Sequence, residues 1–254
     1  MATNAREPTS PRAGDGADKL LLKLRLRDGI DAEEEQALRD IIRPPERMAA
    51  RSVVVREGVP LERSALLVQG ILGRSKDMRD GQRQISEIHI PGDFADLHSF
   101  TLKRLDQDVI ALTECWISWV PHSALQDITE RLPHLGRMLW LSTNLDGALH
   151  RAWTVSLGRR DALARIAHLL CEMQVRLSVV DMADERSYAL PLTQSDLAEC
   201  VGLTSVHVNR VLRELREQGL VTFRSGRVTI HDIDRLRRVA EFSTDYLFLD
   251  KRAR

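Results

Sequence analysis

The chain has few aromatic residues (4%) and three cysteines, Cys115, Cys171 and Cys200, in 254 residues. No Cys-x-x-Cys pair occurs, which excludes the usual zinc-ribbon and iron–sulfur spacings. Three scattered thiols and an N-terminus without an apolar leader are expected of a reducing, cytoplasmic setting. No apolar run approaches the 18 residues that a membrane-crossing helix needs. Charge of one sign is also missing: 37 Lys+Arg balance 37 Asp+Glu. A zero sum speaks against a polyanionic partner, but a whole-chain sum conceals local patches. Catalytic signatures are lacking too, with no Gly-rich phosphate loop, no Gly-x-Ser-x-Gly and no His-Glu-x-x-His. Asp96, His98 and Asp106 form the one loose acid–base group, and nothing in the sequence fixes their geometry. The expectation is therefore not an enzyme, with no catalytic residue, metal ligand or cofactor assigned.

Hydrophobic residues at 43% and charged residues at 29% describe a folded chain with enough apolar side chains for a sizeable core. Residues 1–18 are rich in Pro, Gly, Ala, Asp and Arg and read as a disordered tail. Helical patterns follow over Leu20–Leu26 and Ala32–Ile42, the second closed by Pro44-Pro45. From Ala49 to Val120 short β-branched runs alternate with turn signals, at Ser52–Arg56, Ala65–Val68, Ile71–Lys76, Gln84–Ile90 and Asp108–Val120. That spacing predicts a small antiparallel barrel or roll, with Asp80-Gly81 as a hairpin turn.

A long helix is expected from Pro133 to Gly158. Met138, Leu141, Leu145, Ala148, Ala152 and Val155 recur at alternating spacings of three and four, a heptad seam for a partner helix or for the chain's own core. Leu135, Leu139 and Leu149 form a second stripe. Beyond it, Arg160–Leu177 is amphipathic, Asp181–Ser187 is an acidic loop, and a last helix covers Asp232–Phe242.

The stretch Leu192–Val221 carries the chemistry. Thr193 and Asp196 make a short capping box, Leu197, Ala198 and Val201 line one face, and Gly202 ends the helix. Thr204 caps a second helix whose buried stripe is Val208, Val211, Leu212 and Leu215, and Gly219 stops it. Two short helices joined by a Gly-containing turn are a helix-turn-helix. Ser225-Gly226 then turns a hairpin between Leu220–Arg224 and Val228–His231, which makes a wing. The second helix leaves Thr204, Ser205, Val206, His207, Asn209, Arg210 and Arg213 at its start and on its free face. In this geometry such residues read base edges or phosphates in the major groove of double-stranded DNA, and Arg210 suits guanine O6 and N7. Across Thr204–Ile230 five Arg stand against two Glu, a net of +3.

With these residues in hand, the chain resembles the Crp/Fnr family of bacterial transcription regulators. The resemblance covers most of the chain: Leu192–Val221, the turn His89-Ile-Pro-Gly-Asp-Phe94, and the long helix at Pro133. It implies an α+β fold with an N-terminal antiparallel β-roll of the cyclic-nucleotide-binding type, a long dimerisation helix and a C-terminal winged helix-turn-helix. The corresponding segments are 19–131, 132–158 and 159–254. It further implies a homodimer on a palindromic site, RNA polymerase as a partner, and a small-molecule effector of unknown identity. Arg210 falls on the family's recognition-helix Arg, whereas the Glu common four residues earlier is Val206 here. The effector region is implied at Asp96, Leu97, His98 and Asp106, and at His150 and Arg151 on the long helix. The Arg-Ser pair that holds a cyclic phosphate is replaced by Leu105-Asp106-Gln107-Asp108, which argues against cyclic AMP. No cysteine precedes Cys115, which argues against an iron–sulfur cluster. A haem- or metal-dependent gas or redox sensor is the alternative, with His89 or His98 as axial ligand.

Overall fold

A computed structural model describes residues 11–253. Residues 1–10 of the expected tail lie outside the described residues, and residues 13–18 are already helical, because α1 spans Ala13–Arg25. The glycines that made this stretch look disordered do not prevent a helix whose face packs on the roll: Ala17, Leu20, Leu21 and Leu24 are all buried. Next comes α2, Ala32–Ile41, whose start Asp31 caps in a full capping box with Glu34.

The roll consists of two antiparallel sheets. β1 (Glu46–Met48), β7 (Cys115–Pro121) and β3 (Arg63–Gln69) make one, in the order β1-β7-β3. β2 (Val53–Val55), β6 (Asp108–Ala111), β4 (Leu72–Asp77) and β5 (Arg83–His89) make the other, in the order β2-β6-β4-β5. The hairpin expected at Asp80-Gly81 joins β4 and β5. The single run expected over Asp108–Val120 is two strands in different sheets, parted at Leu112–Glu114. A short helix α3 (Ser99–Leu102) follows the Gly-Asp-Phe turn. The turn itself is fixed by close approach: Gly92 has φ +86°, and a Cβ there would lie 2.7 Å from the Lys19 carbonyl carbon of α1.

α4 (His122–Arg131), absent from the sequence expectation, leads into α5 (Pro133–Arg159), which begins at Pro133 as expected. Met138 and Ala148 of the expected seam are buried within the protomer, as are Leu135, Leu139 and Leu149. Leu141, Leu145 and Ala152 of that seam are half-buried and Val155 is 54% exposed, and next to them Trp140 (68%), Asn144 and Arg151 are exposed. Trp140, Asn144 and Arg151 centre roughly a quarter-turn around the helix from the expected seam and meet it at Val155.

At the start of α5, His134 sits between two carboxylates. Its Nδ1 is 2.6 Å from Glu34 Oε1 and its Nε2 3.3 Å from Asp28 Oδ2. The Glu34 hydrogen bond in particular holds the imidazole above its usual range. This site therefore stabilises the fold fully below the imidazole's unfolded pKa, and the contribution fades as pH rises through the elevated folded value. His134→Ala is expected to destabilise most near pH 6, by no more than about 1 kcal/mol because the ring is partly solvated. In denaturant titrations the deficit shrinks toward pH 8.5.

The C-terminal part contains α6 (Ala162–Val179), β8 (Ser187–Ala189), α7 (Gln194–Val201), α8 (Ser205–Glu217), β9 (Val221–Arg224), β10 (Arg227–Ile230) and α9 (Ile233–Val239). The wing sheet has the order β8-β10-β9. Its core is continuous with the roll: Ile85, Ile88, Ile90 and Leu112 pack with Ile166, Leu170, Leu197 and Val201. Polar tethers reinforce the junction. Arg51 forms a bidentate pair with Asp196, its Nη2 2.9 Å from Oδ2, and Gln84 Nε2 donates to the Glu199 carbonyl at 2.7 Å. After α9 the chain returns across α5 to α1, where Arg27 Nη2 donates to the Leu247 carbonyl at 2.9 Å.

Candidate nucleic-acid interface and sensor interior

Two threonines start the two helices of the reading unit. Thr193 Oγ1 accepts from the Asp196 amide (3.1 Å), and Asp196 Oδ2 accepts from the Thr193 amide (2.7 Å). Gly202 ends α7 in the left-handed region at φ +63°, a conformation that costs an L side chain strain. Two residues later Thr204 Oγ1 accepts from the His207 amide at 3.2 Å and starts α8. Val208, Val211 and Leu215 bury the inner face of α8 against α6 and β9. The turn chemistry and apolar spacing thus produce the helix-turn-helix that the sequence predicted.

The outer face carries the predicted residues together. Thr204, Ser205, Asn209, Arg210 and Arg213 are exposed, and Val206 is 80% exposed. His207 is half-buried. Asn209 Nδ2 donates to Gln194 Oε1 of α7 at 3.1 Å, and Arg210 Nη2 donates to His207 Nε2 at 2.9 Å. Arg224 and Arg227 of the wing are also exposed. An apolar side chain as exposed as Val206, flanked by a guanidinium and an amide, is suited to a thymine methyl and a base edge.

The roll interior differs from the expected effector region. Asp96 is buried but spent within the fold, where its Oδ1 accepts from the Ala65 amide at 2.6 Å. Its carboxyl, pushed up to about 6 chiefly by burial, keeps only that backbone partner and Ser99. Leu97 lines a cavity of about 70 Å³ between α1, α5, α6 and the C-terminal segment. Asp106 and Arg151 are exposed, so these residues do not form one pocket. His150 does face the roll, and its Nε2 is 3.1 Å from Glu87 Oε2.

Around Glu87 lies a charge cluster that sequence reasoning missed. Arg74 Nη1 is 3.1 Å from Glu87 Oε2, and its Nη2 donates to the Ala95 carbonyl at 2.7 Å. Glu87 is 1% exposed and His89 0%. Burial opposes ionisation of Glu87, but His89, His150 and Arg74 outweigh it and hold the carboxyl below its usual range. Burial pushes His89 down to about 4, so at neutral pH it is uncharged, while Arg74 keeps a permanent charge beside Glu87. Neither Glu87 oxygen and neither His89 ring nitrogen meets a well-aligned hydrogen-bond partner. Alternation of side chains along β5 marked Glu87 as an inward position, but its partners come from β4 and α5, too far along the chain to be paired by pattern.

A cyclic phosphate does not fit this interior. The buried Arg74 guanidinium is already paired with Glu87 and is not free for an anion. Haem does not fit either: His89 is enclosed at 0% exposure, and neither His89 nor His98 lines the cavity at Leu97. Cys115, Cys171 and Cys200 are buried thiols, and burial pushes Cys171 up to about 12, far from a reactive thiolate.

Known proteins agree with both halves of this description. Residues 164–239 match the Crp-like helix-turn-helix domain, and residues 45–131 match the cyclic nucleotide-binding domain. The chain is 28% identical over 209 residues to the transcriptional activator protein FnrL of Cereibacter sphaeroides, covering 80% of this chain and 83% of that protein. It is 26% identical to the nitrogen fixation regulation protein FixK of Azorhizobium caulinodans, covering 83% of this chain and 86% of that one. Among solved structures, FixK2 from Bradyrhizobium japonicum superposes with a TM-score of 0.72 at 25% identity, over 80% of this chain and 99% of that one.

Proposed function

The chain belongs to the Crp/Fnr family of DNA-binding transcription regulators, and from that premise we propose that it works as a homodimer on a palindromic site with α8 in the major groove. The observation that carries this reading is the solvent-facing row Ser205, Val206, Asn209, Arg210 and Arg213 on a helix held from behind by α7. Arg210 reads a guanine in each half-site, Val206 meets a thymine methyl, and Arg213 meets a phosphate. The two protomers pair through the α5 stripe of Trp140, Asn144, Arg151 and Val155, where Gly147 lets the helices approach closely. This pairing sets half-sites about one helical turn apart. In functional terms the chain divides into sensor (19–131), dimer helix (132–158) and reading unit (159–254).

The roll acts without a cyclic nucleotide. Arg74, Glu87 and His150 plug it from within, so dimer geometry rather than ligand loading sets its DNA affinity. Of the expected effector residues Asp96, Leu97, His98, Asp106, His150 and Arg151, His150 is the one that joins this cluster. The protein operates in the cytoplasm, performs no catalysis, and contacts RNA polymerase through the acidic loop 181–187. That loop is closed on itself by Asp184, which accepts from the Arg186 amide at 2.8 Å.

Selection from random duplexes at moderate salt tests the reading. The full-length protein is expected to enrich an inverted repeat, and no enrichment of any palindrome would sink it. Val206→Glu supplies an acceptor for cytosine N4 in place of a methyl contact. Selection with this variant is expected to change the favoured base pair at one half-site position, with a preference of about tenfold.

A further inference from the structure

The hydrogen bond between Arg210 and His207 has consequences for how the reading face works. Arginine has five N–H donors and no acceptor, so the imidazole must be the acceptor. His207 Nε2 therefore offers its lone pair to Arg210 Nη2 at 2.9 Å, with the ring neutral and its proton on Nδ1. The two residues are three apart on α8, which places them on one face. His207 is the more enclosed of the two: it lines the groove between α8, Ser195 and Glu199 of α7, and Gly81–Gln84 of the β4–β5 hairpin, whereas Arg210 is exposed. The ring is backed by protein while the guanidinium faces solvent. A flexible side chain is thus held by a seated one before any DNA arrives.

A guanidinium reads guanine through two parallel N–H groups presented in one plane. Holding Nη2 from one side leaves four N–H groups free and fixes the plane in which they lie. A free arginine loses rotamer freedom when it docks, and one already held loses less. Phosphate contacts do not depend on that plane, because a phosphate accepts from many directions.

We infer that His207 is a positioning residue for base reading, which orients Arg210 through an accepted hydrogen bond and contributes to sequence preference rather than to general DNA affinity. Asn209, held by Gln194 of α7 at 3.1 Å, is oriented in the same way from the other helix. The reading face is pre-set by two side-chain pairs, one within α8 and one across the turn.

This inference rests on α8 lying in the major groove, and the experiment separates the two ideas. Wild-type, His207→Ala and His207→Gln proteins, full length, are each put through duplex selection and then titrated against the wild-type site and a random duplex. Enrichment of a palindrome by the wild type is the test of the DNA-reading helix itself. Given that, His207→Ala is expected to bind the selected site about 3–10-fold more weakly, to relax preference at the guanine position, and to bind random duplex as before. His207→Gln, which keeps an acceptor at a similar reach, is expected to restore the guanine preference. Unchanged preference in His207→Ala overturns the inference. So does an equal loss on both duplexes, which would make His207 a phosphate contact, and so does failure of His207→Gln to restore preference in a protein that melts like the wild type.

Discussion

Replacing Arg176 with Met is expected to lower stability by about 3–5 kcal/mol, the largest effect of any single substitution considered for this fold. Arg176 lies on α6 at the centre of a buried polar chain. Its Nη2 is 3.1 Å from Asp93 Oδ2 in the Gly-Asp-Phe turn and 2.7 Å from the Ile88 carbonyl, and its Nη1 is 3.1 Å from Glu172 Oε1. Glu172 accepts in turn from Trp153 Nε1 of α5 at 3.0 Å and from the Tyr246 hydroxyl at 2.8 Å. Asp93 also pairs with Lys23 of α1. One guanidinium thereby connects the N-terminal helix, the roll, the long helix and the C-terminal segment to the reading unit. Burial disfavours the charge of Arg176, but Asp93 and Glu172 reverse that and hold it above the usual arginine range. Methionine fills a similar volume but leaves Glu172 buried without its cation. Removing one member of a buried pair costs far more than the pair is worth, because a desolvated charge is left behind. In thermal melts the midpoint is expected to fall by about 10 °C or more. Arg176→Met combined with Glu172→Gln is expected to lose less than the two single losses added together, since the stranded charge is gone. A midpoint within 2 °C of wild type for Arg176→Met would show that the chain contributes little.

Sequence reasoning reached the reading unit and fell short in the interior, and the physical difference is range. Thr193 with Asp196, Gly202 and Thr204 act on amides within three residues of themselves, so their spacing alone marks where α7 and α8 begin and end. The same applies to Asp80-Gly81 between β4 and β5. α4 was hidden because it sits between a strand and the long helix with no strong stop except Leu132 before Pro133. Periodicity along α5 marks an amphipathic helix, but it cannot say whether an apolar side chain faces its own protomer or a partner. Met138 turns inward because α1 and α4 supply its neighbours, Ala148 is buried as well, and Val155 of the same seam stays exposed. Arg74, Glu87 and His150 come from β4, β5 and α5, and the chain of Arg176 spans α1 to Tyr246. No local pattern encodes such pairings. Asp96 is hidden for a related reason: a carboxylate that looks available in sequence accepts from the Ala65 amide across the roll.

Arg210→Ala is expected to cost about 1–3 kcal/mol per half-site, hence roughly 2–6 kcal/mol for a symmetric dimer, with base preference lost at one position of each half-site. Zero net charge over the chain gives little long-range attraction to a polyanion, so the non-specific term is small, and the local excess on α8 and the wing is set against acidic segments such as Asp31–Glu35 and Asp181–Glu185. Selectivity must then come from a few contacts to base edges. Among the exposed side chains of α8, Arg210 alone combines a bidentate donor pair with a preset orientation, because His207 holds it. Arg213 is also exposed, and lies one turn further along, where the helix moves away from the base edges toward the backbone. The two substitutions should therefore separate. Arg213→Ala is expected to weaken every duplex alike and to reduce the salt slope by about one, whereas Arg210→Ala leaves random-duplex affinity near the wild-type value and removes discrimination. Titrations at two salt concentrations against the selected site, a guanine-substituted site and random duplex distinguish them. If Arg210→Ala weakened all three duplexes equally, Arg210 would be a phosphate contact, and base reading would have to be placed on Val206 and Asn209 instead.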